Sequence, residues 1–160
     1  MYPTGSTYTI YTENNYNFDY AWMEPVGYTF AFRVKGCMNA YVLLSEYRYD
    51  YHLEAYEIVF GVYSNSASEI RRGLQGPVLA QAATPTIMDC ENWRRFWVSW
   101  SDEGDITLGT GEVGTHSILH YRDPVPQPTN YISIGTWNNV DLQWDIIQQQ
   151  GKTHSVCTPL

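Results

Sequence analysis

The sequence predicts an all-β protein, a two-sheet antiparallel β-sandwich that is jelly-roll-like in its connections. Three observations predict it. Roughly ten short segments alternate apolar and polar residues at the period of two that an extended strand imposes. No segment holds an apolar period of 3.6 residues over three helical turns. Aromatic residues make up 16% of the chain, with 14 Tyr and 6 Trp, and such side chains fit pleated, half-buried surfaces.

The hairpin Arg94 to Gly109 is the clearest element. Phe96, Val98 and Trp100 share one side of a strand, with Arg95, Trp97 and Ser99 on the other. Asp102-Glu103-Gly104 supplies the turn, its glycine free to take positive φ, and Ile106 and Leu108 resume the alternation. In chain order, Ser6–Tyr11 reads as a first strand and Tyr16–Trp22 as a second extended piece. In Tyr28–Lys35, residues Tyr28, Phe30, Phe32 and Val34 are expected to point inward. A turn at Gly36–Asn39 leads to a strand through Ala40, Val42 and Leu44. Tyr47–Glu54 reads as a loop, Tyr56–Tyr63 as a strand, Ser64–Ala67 as a turn and Ser68–Arg72 as a short strand. Val78–Ala83, Ser117–Tyr121, Tyr131–Thr136 and Leu142–Ile147 follow. The proline run from Asp123 lacks the donors a central ladder requires. Two packed sheets accommodate such a series of short strands.

No linker or repeat divides the chain, so residues 1–160 are expected to form a single domain with a polar tail over 148–160. The net charge of −8, with nine scattered Lys and Arg, excludes nucleic-acid binding through phosphate contacts. The absence of a long apolar run predicts no membrane span. The N-terminus lacks the pattern of a secretory signal, so the chain is either cytosolic or begins after signal removal. Three cysteines, Cys37, Cys90 and Cys157, leave at least one unpaired or available to another chain. Cys157 sits in the polar tail, where a disulfide tying the tail down is the expected use; that favours an oxidising, extracellular compartment.

No catalytic constellation is visible, and neither a metal nor a cofactor is expected. His116 and His120, four apart along an extended segment, lie about 13 Å from each other, too far to share one zinc. Glu46, Asp50, Glu54 and Glu57 offer at most a weak calcium site, and solvation is the default expectation. Binding is the stronger case. Trp137-Asn138-Asn139-x-Asp141 sets an aromatic face beside amides and a carboxylate, the mixture that sugar C–H faces and hydroxyls require; a polar turn whose tryptophan folds back on the core is the alternative. Asn65 and Ser66 precede Arg71, which either clamps a carboxylate or sulfate or pairs internally with Glu57 or Glu69, the internal pair being preferred. Arg95 and Trp97 either line a shallow groove or are covered by a neighbouring strand or the tail.

Several stretches together carry a family pattern: Phe32–Cys37, Ala40–Ser45, Tyr56–Gly61, Asn65 with Ser68–Arg71, Phe96–Trp100, Gly104–Gly109, Asp123-Pro124, Ile134–Thr136 and Trp144. Over roughly Tyr28 to Ile146 the chain resembles the farnesoic acid O-methyltransferase-like domain, a module also found in large extracellular proteins of the α2-macroglobulin/complement type. The family name implies methyl transfer from S-adenosylmethionine. The chain has no Gly-x-Gly-x-Gly turn opening a helix and no α/β alternation that would seat that cofactor. It also departs from the family's glycine-rich loop at Trp137–Asp141. The expectation is therefore a non-enzymatic, extracellular, lectin-like module that binds glycan or a protein surface. The alternatives are a self-assembling structural protein, a homo-oligomer, and third a methyltransferase.

Overall fold

The structure, a computed structural model, describes residues 7–13, 16–49, 55–138 and 140–147. The first sheet contains β1 (Thr7–Thr12), β3 (Thr29–Lys35), β8 (Arg94–Trp100), β9 (Asp105–Thr110), β10 (Ser117–Arg122) and β12 (Leu142–Ile147) in the order β1-β12-β3-β8-β9-β10. The second contains β2 (Trp22–Met23), β4 (Ala40–Ser45), β5 (Ala55–Gly61), β6 (Ala67–Arg72), β7 (Val78–Ala83) and β11 (Tyr131–Gly135) in the order β2-β11-β4-β5-β6-β7. Every pairing is antiparallel, so the expected all-β, two-sheet sandwich is the observed one.

The strand period builds the core directly. Phe30, Phe32 and Val34 of β3, Phe96, Val98 and Trp100 of β8, and Leu142, Trp144 and Ile146 of β12 face Val42, Leu44, Ile58, Phe60, Ile70, Ile132 and Ile134 of the other sheet. Rings dominate its centre. Phe60 stacks on Phe96 at 4.5 Å, and Phe32 lies 5.1 Å from Trp144, whose Nε1 donates to Thr12 Oγ1 at 3.0 Å. The Arg94–Gly109 hairpin forms as expected, with Gly104 at φ 98°.

Two expectations are corrected. Tyr28 points outward, 51% exposed, because the ladder starts one residue later and its hydroxyl donates to Asp102 Oδ2 at 2.9 Å. Residues 16–20 are not a strand; only Trp22–Met23 pairs, with β11. The segment before it crosses the outer face of the second sheet. Ser133 Oγ donates to the Phe18 carbonyl, and a Cβ on Gly135 would meet the Asn17 carbonyl at 2.8 Å. Only a residue without a side chain admits that crossing.

Cys37 bonds to Cys90, joining the β3–β4 turn to the segment before β8. With those two cysteines used, neither can tie down the tail; Cys157 itself lies outside the described residues. A second cross-link is ionic. Asp123, buried, accepts from the Tyr56 hydroxyl, the Val125 N–H and the Arg72 guanidinium. Burial pushes its carboxyl up, and these hydrogen bonds outweigh burial, holding it below the ordinary carboxylate value. No helix among the described residues is long and apolar enough to cross a membrane.

Two outcomes follow for stability. The disulfide closes a separation of 53 residues, so Cys37→Ser with Cys90→Ser lowers unfolding free energy by about 4 kcal/mol in urea titrations, from the loop-closure entropy. Asp123, with its folded pKa depressed, contributes stability that is present above its unfolded value of about 3.9 and is lost as pH falls through the folded value. Wild-type stability therefore drops below about pH 4, and Asp123→Asn, about 2 kcal/mol less stable at neutral pH, shows a shallower drop.

Candidate functional site

The outer face of the second sheet carries the densest chemistry of the described residues. Alternation sends Tyr41 and Leu43 of β4, Glu57 and Val59 of β5, and Glu69 and Arg71 of β6 to this face, away from the core. Register sets Glu57 directly opposite Arg71. The Arg71 guanidinium donates to Glu57 Oε1 at 2.9 Å through Nη1 and to Glu69 Oε1 at 2.8 Å through Nε. Both carboxylates have no solvent exposure, so Glu57 is not solvated, the default expectation for the Glu46–Glu57 acids, but paired with Arg71. Its two oxygens are further occupied by the Gln75 N–H at 3.1 Å and the Tyr16 hydroxyl. Glu69 in turn accepts from Gln81 and, at 3.3 Å, from Tyr63.

Two titrations are set by this packing. Burial works to lower the Arg71 pKa, but hydrogen bonds with Glu57, Glu69 and Tyr41 prevail and hold it above the ordinary value, so the group stays charged. Burial, then the Glu57 charge, pushes the Tyr16 phenol far up, so it stays a neutral donor. One cation faces two carboxylates, and the cluster's formal charge is negative.

Above this cluster opens a cavity of about 340 Å³ whose walls include Asn39, Tyr41, Tyr63, Ser64, Arg71, Gln75, Trp137 and Asn138. Trp137 is 42% exposed and Tyr63 is 56% exposed. The Trp137 ring is not folded into the core; it meets Tyr16 edge-on at 5.1 Å, and the Asn39 side chain donates to the Trp137 carbonyl at 3.0 Å. Backbone strain concentrates here. Of the nine described non-glycine residues with positive φ, five line this cavity: Asn39, Tyr63, Ser64, Gln75 and Asn138. Tyr63 and Ser64 belong to the four-residue helical turn Val62–Asn65, left-handed at Tyr63, Ser64 and Asn65. Left-handed geometry costs roughly 1–2 kcal/mol at a residue with a Cβ, somewhat less for Asn, and persists where surrounding contacts over-determine it.

The sequence-predicted residues therefore divide. Arg71, Trp137 and Asn138 come together in one cavity. Asn65 and Ser66 stand beside it as supports: Asn65 exchanges hydrogen bonds with the Met88 backbone at 2.9 and 3.0 Å, and Ser66 Oγ donates to the Tyr63 carbonyl at 2.6 Å. Asp141 lies apart, accepting from Tyr11 of β1 at 3.3 Å. Arg95 and Trp97 sit on the outer face of the other sheet. Trp97 is buried, donating to the Thr115 carbonyl at 2.9 Å, and its ring lies where a Cβ on Gly109 would come within 2.2 Å. Arg95 reaches Glu112 at 3.4 Å. Asn139 falls outside the described residues, as do Asp50 and Glu54. Tyr16, Tyr41, Tyr63 and Gln75 are site residues that sequence reading does not pick out; for Tyr63 the available signal is its place at the end of a predicted strand, next to the turn that starts at Ser64-Asn65. Among the described residues no group of three His, Cys, Asp or Glu is placed to hold a metal.

The fold has known company. A β-1,3-1,4-glucanase (lichenase) from a mouse hindgut metagenome superposes with a TM-score of 0.56 at 9% identity, over 89% of this chain and 79% of that one. A Bacillus subtilis protein of unknown function with a galectin-like fold gives 0.55 at 10% identity, over 92% and 80%. The Caenorhabditis elegans galectin LEC-6 gives 0.50 at 10% identity, over 87% and 96%. In sequence, the chain is 29% identical over 92 residues to "Uncharacterized protein 5" of Haliotis asinina, covering 57% of this chain and 52% of that protein, so it spans about half that relative's length. The family model described as farnesoic acid O-methyl transferase matches residues 12–150, and the chain belongs to that family.

Proposed function

We propose that this chain is a non-catalytic, extracellular carbohydrate-recognition module whose sugar sits between Tyr63 and Trp137 above Arg71. The observation that carries the reading is the gathering of strained backbone, two half-exposed rings and a fixed guanidinium around one cavity. Strain held at one place by surrounding contacts marks a pre-organised surface. Aromatic faces take sugar C–H groups; planar amides and the guanidinium take hydroxyls.

The absence of catalysis is supported by the two carboxylates. A glycosidase needs a pair of acids flanking the scissile bond, one to donate a proton and one to attack or activate water. Glu57 and Glu69 are buried and committed to Arg71, so neither offers a carboxyl to a substrate. An oxidising compartment is supported by the Cys37–Cys90 bond. The fold shared with a galectin and a β-1,3-1,4-glucanase adds support for saccharide as the ligand class.

A glycan array probed with the full chain is the decisive measurement. Neutral glycans are retained in preference to sulfated or carboxylated ones, because Arg71 is already neutralised and the cluster's net charge is negative. Trp137→Ala and Tyr63→Ala each weaken the best glycan by about tenfold in calorimetry, the loss of one stacking face, with unchanged far-UV circular dichroism. A blank array with capture of a protein partner overturns the sugar reading, and saturable micromolar S-adenosylmethionine binding overturns the non-catalytic one.

A further inference from the structure

A cavity of about 540 Å³ opens between the two sheets at one side of the sandwich, and the sugar site does not use it. At the opposite side β7 and β10 approach each other and close the gap between the sheets. Here the second sheet ends in β2, a strand of two residues, and the sheets part around the cavity. Register sends side chains of five strands toward it, because directly opposite residues of paired strands share a face. Ile10 of β1 lies opposite Trp144, and Ile146 of β12 opposite Phe32, so both point inward beside Phe30 of β3. Met23 of β2 lies opposite Ile132 of β11 on the facing sheet. We propose that this cavity binds a single aliphatic chain ending in a hydroxyl group, the chain between the sheets and the hydroxyl at Glu24.

The floor is closed core: Phe30, Ile132 and Ile146 are 5%, 1% and 3% exposed. The surface left for a ligand belongs to the walls, where Ile10, Ala21, Met23, Pro25 and Val26 are each half-buried. An aliphatic chain covers that surface, and each methylene it takes out of water tightens binding about fourfold. A cavity walled by both sheets is concave and of small-molecule size, whereas a protein partner needs roughly 800 Å² of surface per side. Its polarity is graded. Glu24, exposed, carries the one formal charge among the described lining residues. A carboxylate head meets that charge with repulsion, and a hydroxyl head donates to it. An ammonium head gains little, because an exposed ion pair is weak and the ammonium holds its hydration shell strongly. Tyr20 stands in the wall as well, and its hydroxyl accepts the Glu13 N–H at 3.1 Å, fixing that side to the segment after β1 before any ligand arrives.

Titration of the full chain carrying ¹³C-methyl methionine tests the assignment, with 1-octanol, 1-hexanol, octanoate and octylammonium as probes at matched ionic strength. 1-Octanol is expected to shift the Met23 methyl resonance and saturate with a Kd on the order of 1 mM or tighter. 1-Hexanol is expected to bind about fifteenfold more weakly, the loss of two buried methylenes. Octanoate is expected to bind at least fivefold more weakly than 1-octanol, and Glu24→Gln to narrow that gap. Ala21→Leu, which fills the wall, is expected to weaken 1-octanol about tenfold; circular dichroism confirms that each variant folds, and the chain-length comparison needs no variant. No saturation overturns the proposal, as does saturation without a Met23 shift or equal affinity for the two alcohols. Tighter binding of octanoate or octylammonium than of 1-octanol overturns the hydroxyl assignment. A Met23 resonance that moves on dilution without any probe assigns the cavity to a second copy of the chain, and that outcome also overturns it.

Discussion

Strands β4 and β5 are buried on both faces, and the rest of the molecule is arranged around that constraint. A sandwich strand ordinarily shows one face to its partner sheet and the other to water. Here the second face is covered by residues 16–22, so polar groups that alternation sends outward are cut off from solvent. Glu57 and Glu69 cannot stay charged there unpaired. Arg71 supplies the counter-charge from the neighbouring strand, Tyr16 and Gln81 take the other carboxylate oxygens, and the Gln75 N–H shares Glu57 Oε1 with Arg71. The crossing segment thus both creates the desolvation cost and, through Tyr16, helps to offset it.

That arrangement explains where the cavity lies. The cover reaches Trp137 through the edge-on contact of Tyr16, and beyond that ring the face is open to solvent as far as Tyr63. The open part is bordered by the β3–β4, β5–β6 and β11–β12 connections. Each is held by contacts outside itself: Asn39 binds the Trp137 carbonyl, Asn65 binds the Met88 backbone, and Cys37 is bonded to Cys90. Those ties allow left-handed residues to persist along the rim.

The legibility of all this in sequence follows the range of the interactions. The Arg94–Gly109 hairpin and the strands from Thr29 to Ser45 are legible because alternation and turn chemistry are local. The cover over the second sheet is not. Tyr16–Trp22 reads only as an extended piece, and it is the Ser133 and Gly135 contacts with Phe18 and Asn17, far along the chain, that show it crossing the sheet. The same missing cover makes Glu57 look solvated. Arg71 is legible in part: an internal pair with Glu57 or Glu69 is the preferred expectation, and the guanidinium pairs with both. Trp97 turned on how the β9–β10 connection folds back over Gly109, which alternation does not encode.

Stability is not what the buried triad is best explained by. Replacing such a cluster by packed apolar residues is often neutral or stabilising, so stability alone is a weak reason for its presence. A lysine would not serve in place of Arg71. One ammonium cannot address Glu57 and Glu69 through separate nitrogens in a fixed plane, whereas the guanidinium does, donating through Nη1 to one and Nε to the other. That plane lies on the floor of the cavity, 5.8 Å from the Tyr41 ring, and its orientation is settled before anything binds. The desolvation of one sheet face thus leaves a fixed donor plane beneath two half-exposed rings, a geometry that apolar replacements would give up.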